Sequence, residues 1–192
     1  SIIETSDNHF ILSGVLDVSA SGGEGNLGRF STRHAGGDYW SIKITHTGNF
    51  VWSRYYGGSF TDNPEEILEN ANSNLITVGG SDSNDVDITN NKGSYDFWVV
   101  KSDAGGNIIW EKSFGGSEID EARGIVSSSD GNYVIVGDTR SSEQDVSLNN
   151  GAADLWLIKI SDDGDVLWNS SIGGSNFDVG RSIDLTFNGG FI

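Results

Sequence analysis

Cysteine is absent from the chain, which excludes a disulfide framework and any thiolate chemistry. Proline occurs once, at Pro64, so the composition is not that of a disordered linker, which carries more of it. Basic residues are scarce: 11 Lys and Arg against 28 Asp and Glu leave a formal charge of −17. A surface that negative repels phosphate backbones and anionic headgroups, and nucleic acid is excluded as an expected partner. Cations and neutral polymers such as glycans are not. No apolar run approaches the roughly 18 residues that a membrane span requires, so no membrane insertion is expected. Methionine is missing altogether and the chain opens Ser1-Ile2-Ile3 without a signal-peptide pattern, so we expect a processed or partial chain.

What the chain has instead is glycine, 27 of 192 residues, and a repeat. All six tryptophans fall in two columns with a 58-residue step: Trp40, Trp98 and Trp156, then Trp52, Trp110 and Trp168. Lys43, Lys101 and Lys159 keep that step, as do the pairs Gly57-Gly58, Gly115-Gly116 and Gly173-Gly174, each followed by Ser. Two aspartate columns keep it as well, Asp38, Asp96 and Asp154, and Asp62, Asp120 and Asp178. So many residue types at one spacing mark an internal repeat, which decides the fold before any local reading does.

Each copy offers four strands. DYWSIKI (38–44) is the first and NFVWSRYYG (49–57) the second, joined by a turn at Gly48; a third lies around 66–70 and a fourth is LITVGG (75–80). PEEILENAN (64–72) alone reads as a helix start, but its counterparts ARGIVSSSD and GRSIDLTFN are poor helix sequences, so strand is expected in every copy. Four strands in about 58 residues is the size of a propeller blade. The expected fold is therefore all-β, a partial β-propeller of four-stranded antiparallel blades, a little over three of them and not closed within the chain. We divide it as 1–37, the end of a preceding blade plus an irregular insertion loop; 38–95 and 96–153, two blades; and 154–192, an incomplete blade. Both ends supply the same strands of the unit, so we read the chain as a stretch of a longer array. All six tryptophans are expected in the core.

The stretch GSYDFWVVKSDAGGNIIWEKSFGGSEIDEARGIVSSSDGNYVIVGDT (93–139) and its echoes resemble the secreted β-propeller repeats of Bacteroidota surface proteins, exported by the type IX pathway. That resemblance covers nearly the whole chain except about 15–37. It implies an extracellular or cell-surface location and a scaffold or binding role, and brings no catalytic residues.

The candidate chemistry is sparse. Lys43, Lys101 and Lys159 lie inside apolar strands, where a bare ammonium is costly, so each is expected to pair with a recurring aspartate of the Asp38 or Asp62 column. Those aspartates are expected to fix turns by accepting backbone N–H bonds. Asp82, Asp85 and Asp87, close to Asn91, form the cluster best suited to Ca²⁺, though without EF-hand spacing; otherwise no cofactor is expected. The Gly-rich insertion at 15–37 carries Arg29, Arg33 and His34, a concentration of positive charge in an acidic chain, and is the expected ligand contact. No histidine sits in a nucleophile context, and the outstanding charged positions are repeated, whereas an enzyme needs unique residues converging at one place. A non-catalytic module binding a glycan or a protein partner is the leading reading. A structural spacer of a surface complex and a propeller glycoside hydrolase or lyase are the alternatives.

Overall fold

The computed structural model describes residues 1–17 and 34–192. Among them every regular element is a strand. Three four-stranded antiparallel sheets follow one another along the chain. The first holds β1 (Ile2–Glu4), β2 (His9–Leu16), β3 (Asp38–Thr45) and β4 (Phe50–Tyr56). The second holds β5 (Asp62–Glu69), β6 (Leu75–Ser81), β7 (Asp96–Ser102) and β8 (Ile108–Phe114). The third holds β9 (Asp120–Ser127), β10 (Tyr133–Thr139), β11 (Asp154–Ile160) and β12 (Val166–Ile172). Each sheet is a meander in which sequence neighbours pair.

The segment that looks helical in isolation is β5, a strand, as the repeat requires. Its single proline lies beside a bulge between Pro64 and Glu66, where a missing N–H is tolerated. The sheets are phased differently from the 38–95 division. A unit starting at Asp38 takes β3 and β4 from one sheet and β5 and β6 from the next, because hydrogen bonding groups 62–114 and 120–172. A repeat has a period but no marked origin; pairing alone sets the origin.

Burial follows the stacking of sheets. In the second sheet β6 and β7 are buried along their whole length, covered on both faces. In the third sheet β11 alternates buried and half-buried, and β12 is largely exposed. The largest core cluster lies between the second and third sheets and includes Val78, Phe97, Ile135, Trp156 and Ile158. A second, between the first and second sheets, holds Tyr39, Tyr56, Ile88, Trp98 and Val100.

The tryptophans divide by position. Trp98 and Trp156 are fully buried, each tilted against an aromatic ring of the preceding sheet, Tyr39 at 4.5 Å and Phe97 at 4.6 Å. Full burial of each contributes on the order of 5 kcal/mol, an upper bound. Trp40, Trp52 and Trp110 are half-buried, and Trp168 is exposed. A uniform core role therefore fails: in the first column Trp98 and Trp156 pack on a ring of the preceding sheet and Trp40 does not, and in the second column Trp52 and Trp110 reach the next sheet and Trp168 does not.

The repeated lysines are paired, but not with the Asp38 or Asp62 column. Lys43 reaches Asp7 at 2.7 Å and Lys159 reaches Asp130 at 2.6 Å, each in the first hairpin turn of its own sheet. The second sheet has Asn72 in that place, and Lys101 crosses to Asp162 of the third sheet, at 2.6 Å. Lys101 also donates to the Asp162 carbonyl, and Asp162 further accepts from Tyr133 Oη (2.6 Å) and Asn70 Nδ2 (3.3 Å). Burial pushes the Asp162 carboxyl up, but these donors outweigh it and hold it below the usual carboxylate range.

A prediction follows from the burial difference: Lys101 is 5% exposed and Asp162 42%. Asp162→Ala strands a buried ammonium and should cost about 2 kcal/mol, reduced from a fully buried pair because the carboxylate is partly solvated. Lys101→Met fills the same space and should cost less than about 1 kcal/mol. Urea denaturation of both variants checks this; equal, small losses would show Lys101 to be solvated.

Candidate functional site

The aspartate columns meet at each turn from one sheet into the next. Gly58, Gly116 and Gly174 donate their N–H to Asp62, Asp120 and Asp178, each at 2.7 Å, which explains the Gly-Gly-Ser-x-x-Asp pattern. Asp96 and Asp154 accept the N–H four residues earlier, from Lys92 (2.6 Å) and Asn150 (2.9 Å). Two carboxylates, one from each column, then face each other across a glycine. A Cβ on Gly115 would lie 2.3 Å from Asp96 Oδ1 and 2.6 Å from Asp120 Oδ2. Gly57 stands in the same relation to Asp38 and Asp62, and Gly173 to Asp154 and Asp178. Asp38, Asp62, Asp96, Asp120 and Asp154 are fully buried.

Asp120 is satisfied by Ser141 Oγ, Thr139 Oγ1 and the Gly116 N–H, whereas Asp96 Oδ1 has no donor. Burial pushes Asp96 up to about 7, with Asp120 and Asp145 adding to the shift. Burial also raises Asp62, to about 7, against the pull of Ser81, Gly58 and Ser83. The pairs Asp38–Asp62 and Asp96–Asp120 are structural joints sealed from solvent, whereas in the third pair Asp178 is half-buried beside the exposed Gly173 and Gly174.

The open site is a cleft of about 710 Å³ beside β8. Four separate stretches build it: Asn90, Asn91 and Lys92 from the loop between β6 and β7, Glu111 to Phe114 from β8, Gln144 and Asp145 from the loop between β10 and β11, and Val166 at the start of β12. Lys92 Nζ is held by Asp145 at 2.8 Å and by the Ser113 carbonyl at 2.6 Å, 6.0 Å from the Phe114 ring. Glu111 accepts from Thr89 Oγ1 (2.5 Å) and from Trp98 Nε1 (2.9 Å). The charged groups are thus tied down, while Asn90 and Gln144 stand exposed at the rim. Both have positive φ, 61° each, and Gln144 Nε2 donates to the Lys92 carbonyl at 3.3 Å.

The residues singled out from sequence are placed as follows. Arg29 and Arg33 lie outside the described residues. His34 faces inward: it is buried, 2.8 Å from Asp38 Oδ1 and edge-on to Tyr55 at 5.0 Å, where it supports the joint. Asp85 accepts from Ser59 N and Oγ, both at 2.9 Å, and Asp87 from the Gly57 N–H. Asn91 spends its amide on the Ser81 and Ser94 carbonyls and on Gly93 N. Asp82 takes no part in these bonds. Among the described residues no group of three or more His, Cys, Asp or Glu is placed to hold a metal ion. Lys92 and Gln144 escape sequence reasoning, and Asn90 is read there only beside the Asp82, Asp85 and Asp87 cluster, because no single copy contains the cleft. The one signal was positional: they sit in the loops between the second and third strands of consecutive sheets.

Repeated four-stranded antiparallel sheets in an all-β chain define a propeller-like module. No family profile matches the sequence, and no curated protein matches it. A solved structure of a protein of unknown function from Bacteroides caccae is similar, with a TM-score of 0.50 and 11% sequence identity. The similarity covers 99% of this chain and 50% of that one, so the chain spans half the length of its neighbour. At that identity the likeness is one of fold. No helix among the described residues is long and apolar enough to cross a membrane.

Proposed function

We propose that the chain is a non-catalytic module of an extracellular or cell-surface protein, and that the cleft beside β8 binds a neutral, hydroxyl-rich glycan. The observation that carries this reading is the division of labour in the cleft. Its acids, Lys92 and Lys112 are consumed in ion pairs and hydrogen bonds, and the exposed groups at its rim are the amides of Asn90 and Gln144, the second of which also donates from Nε2 to the Lys92 carbonyl at 3.3 Å. Amides donate and accept at once, which suits sugar hydroxyls, and neither titrates near neutrality, so they bind without reacting. A neutral ligand also avoids the field of a chain carrying −17.

Calorimetric titration with a panel of neutral oligosaccharides tests this. Asn90→Gly with Gln144→Gly keeps both backbones in the left-handed region and removes the amides. Binding should weaken at least about tenfold, roughly 1.4 kcal/mol, with the melting temperature unchanged. Failure of every oligosaccharide to bind, or equal binding by the double variant, removes the reading.

A further inference from the structure

The first hairpin turn of each sheet is closed alike: Thr5, Asn70 and Ser128 donate their N–H to the carbonyls of His9, Asn74 and Asn132. Ser6, Ala71 and Ser129 thus hold one position, Ser73 and Gly131 a second, and Glu69 and Ser127 a third, just before the turn. Where the first sheet meets the second, these positions are stapled. Ser6 donates its N–H to Glu69 at 2.6 Å and its hydroxyl at 3.1 Å, and Ser6 Oγ lies 3.1 Å from Ser73 Oγ.

Where the second sheet meets the third, Ala71 stands in the place of Ser6, Ser127 in that of Glu69 and Gly131 in that of Ser73. Each replacement is a shorter side chain, no staple forms, and a cavity of about 420 Å³ opens among the turns of β5–β6, β9–β10 and β11–β12. Such a volume is that of a small-molecule site. It lies at the other end of the strands from the loops that build the cleft beside β8, and it shares no residue with that cleft.

We propose that this cavity binds a small neutral sugar. Its open groups form a mixed set of donors and acceptors: the Ala71 N–H, equivalent to the one that holds Glu69, the hydroxyls of Ser127 and Ser129, the amide of Asn72 and Oδ2 of Asp162. None of these is bonded among the described residues, and the set matches hydroxyls, which donate and accept at once. Lys101, Tyr133 and Asn70 all donate to Asp162 Oδ1, which fixes the carboxylate. An anion is disfavoured. The first junction has Ala104 where the second has Asp162, so a carboxylate arriving in the place of Glu69 would meet a charge already there, in a chain carrying −17. Ca²⁺ takes roughly 6–8 oxygen ligands, and one carboxylate beside two hydroxyls falls short of that.

The experiment is a titration of the isotope-labelled 192-residue chain with glucose, galactose, mannose and N-acetylglucosamine at millimolar concentration, followed by nuclear magnetic resonance. At least one sugar should shift the amide resonances of Ala71, Ser127 and Ser129 saturably. Ala71→Ser with Ser127→Gln copies the geometry of the first junction into the second without adding an acid. It fills the cavity and should abolish those shifts, with the melting temperature unchanged or raised. Asn72→Ala with Ser129→Ala, both at exposed positions, removes open groups without filling the cavity and should weaken binding at least about tenfold, so the test stands even where the filled variant does not fold. Asn90→Gly with Gln144→Gly should leave the shifts in place, which separates this site from the cleft beside β8. No shift with any of the sugars, the same shifts produced by acetate instead, or binding undiminished in the substituted chains would each overturn the proposal.

Discussion

Gly137→Ala should destabilise the protein by about 3 kcal/mol, while Gly14→Ala, at the matching position of the first sheet, should change stability by less than about 0.5 kcal/mol. A methyl group on Gly137 would lie 2.0 Å from the Glu121 carbonyl oxygen, 2.9 Å from Ala122 Cα and 2.7 Å from the Phe97 ring. The first two are backbone of β9, at the bulge between Val136 and Gly137, and cannot rotate away. The third belongs to a ring already packed on Trp156. Relief therefore requires β9 to shift, and β9 also contacts the second sheet through Glu66, which accepts the Ile125 N–H at 2.8 Å. Gly14 has nothing within 4 Å. For a chain of this size the loss corresponds to a fall in melting temperature of about 6–12 °C, read by calorimetry. Equal behaviour of the two variants would mean that the sheets do not pack through the Gly137 position.

Strands, their number per sheet and their repetition were legible in the sequence because each is a local signal read three times. The apolar runs around Trp98 and Trp156 and the turn glycines at Gly48, Gly106 and Gly164 specify hairpins without reference to anything distant. Comparison between copies corrected the one misleading segment, at 64–72. What could not be read depends on which sheet touches which. Lys43 and Lys159 find an acid in their own sheet, but Asn72 stands where Lys101 would find one, so Lys101 crosses to Asp162; only coordinates reveal that exchange. Asp96 and Asp120 lie in different columns and meet only because the end of β8 turns back through Gly115. His34 drew attention as part of a basic loop, yet its buried bond to Asp38 fixes a joint. The cleft combines Asn90, Glu111 and Gln144 from three segments, none of which is unusual by itself.

The meeting of those carboxylates sets the pH response. Raising the pH from about 5 to about 8 should lower the stability of the wild-type chain, and Asp96→Asn should remove a large part of that loss. In the folded chain Asp62 and Asp96 titrate near 7, raised by burial, against about 3.9 in the unfolded chain. Between those values the native state binds more protons than the unfolded state, so unfolding free energy falls as pH rises; it levels off above about 7. Each such group contributes on the order of 1.4 kcal/mol per pH unit at most, and there are two of them. The physical source is plain for Asp96: it is fully buried, its Oδ1 has no donor to stabilise the charge, and Asp120 and Asp145 add repulsion. Asparagine in its place imitates the protonated acid at every pH. Asp96→Asn should therefore be more stable than wild type at pH 8 and no more stable at pH 5. General repulsion within the acidic chain acts in the same direction, and Glu118→Gln at the exposed surface measures that contribution alone. Denaturant midpoints across pH 5 to 8 for the three proteins separate the two. If Asp96→Asn changes the slope no more than Glu118→Gln, burial of the Asp96 carboxyl does not set the pH response.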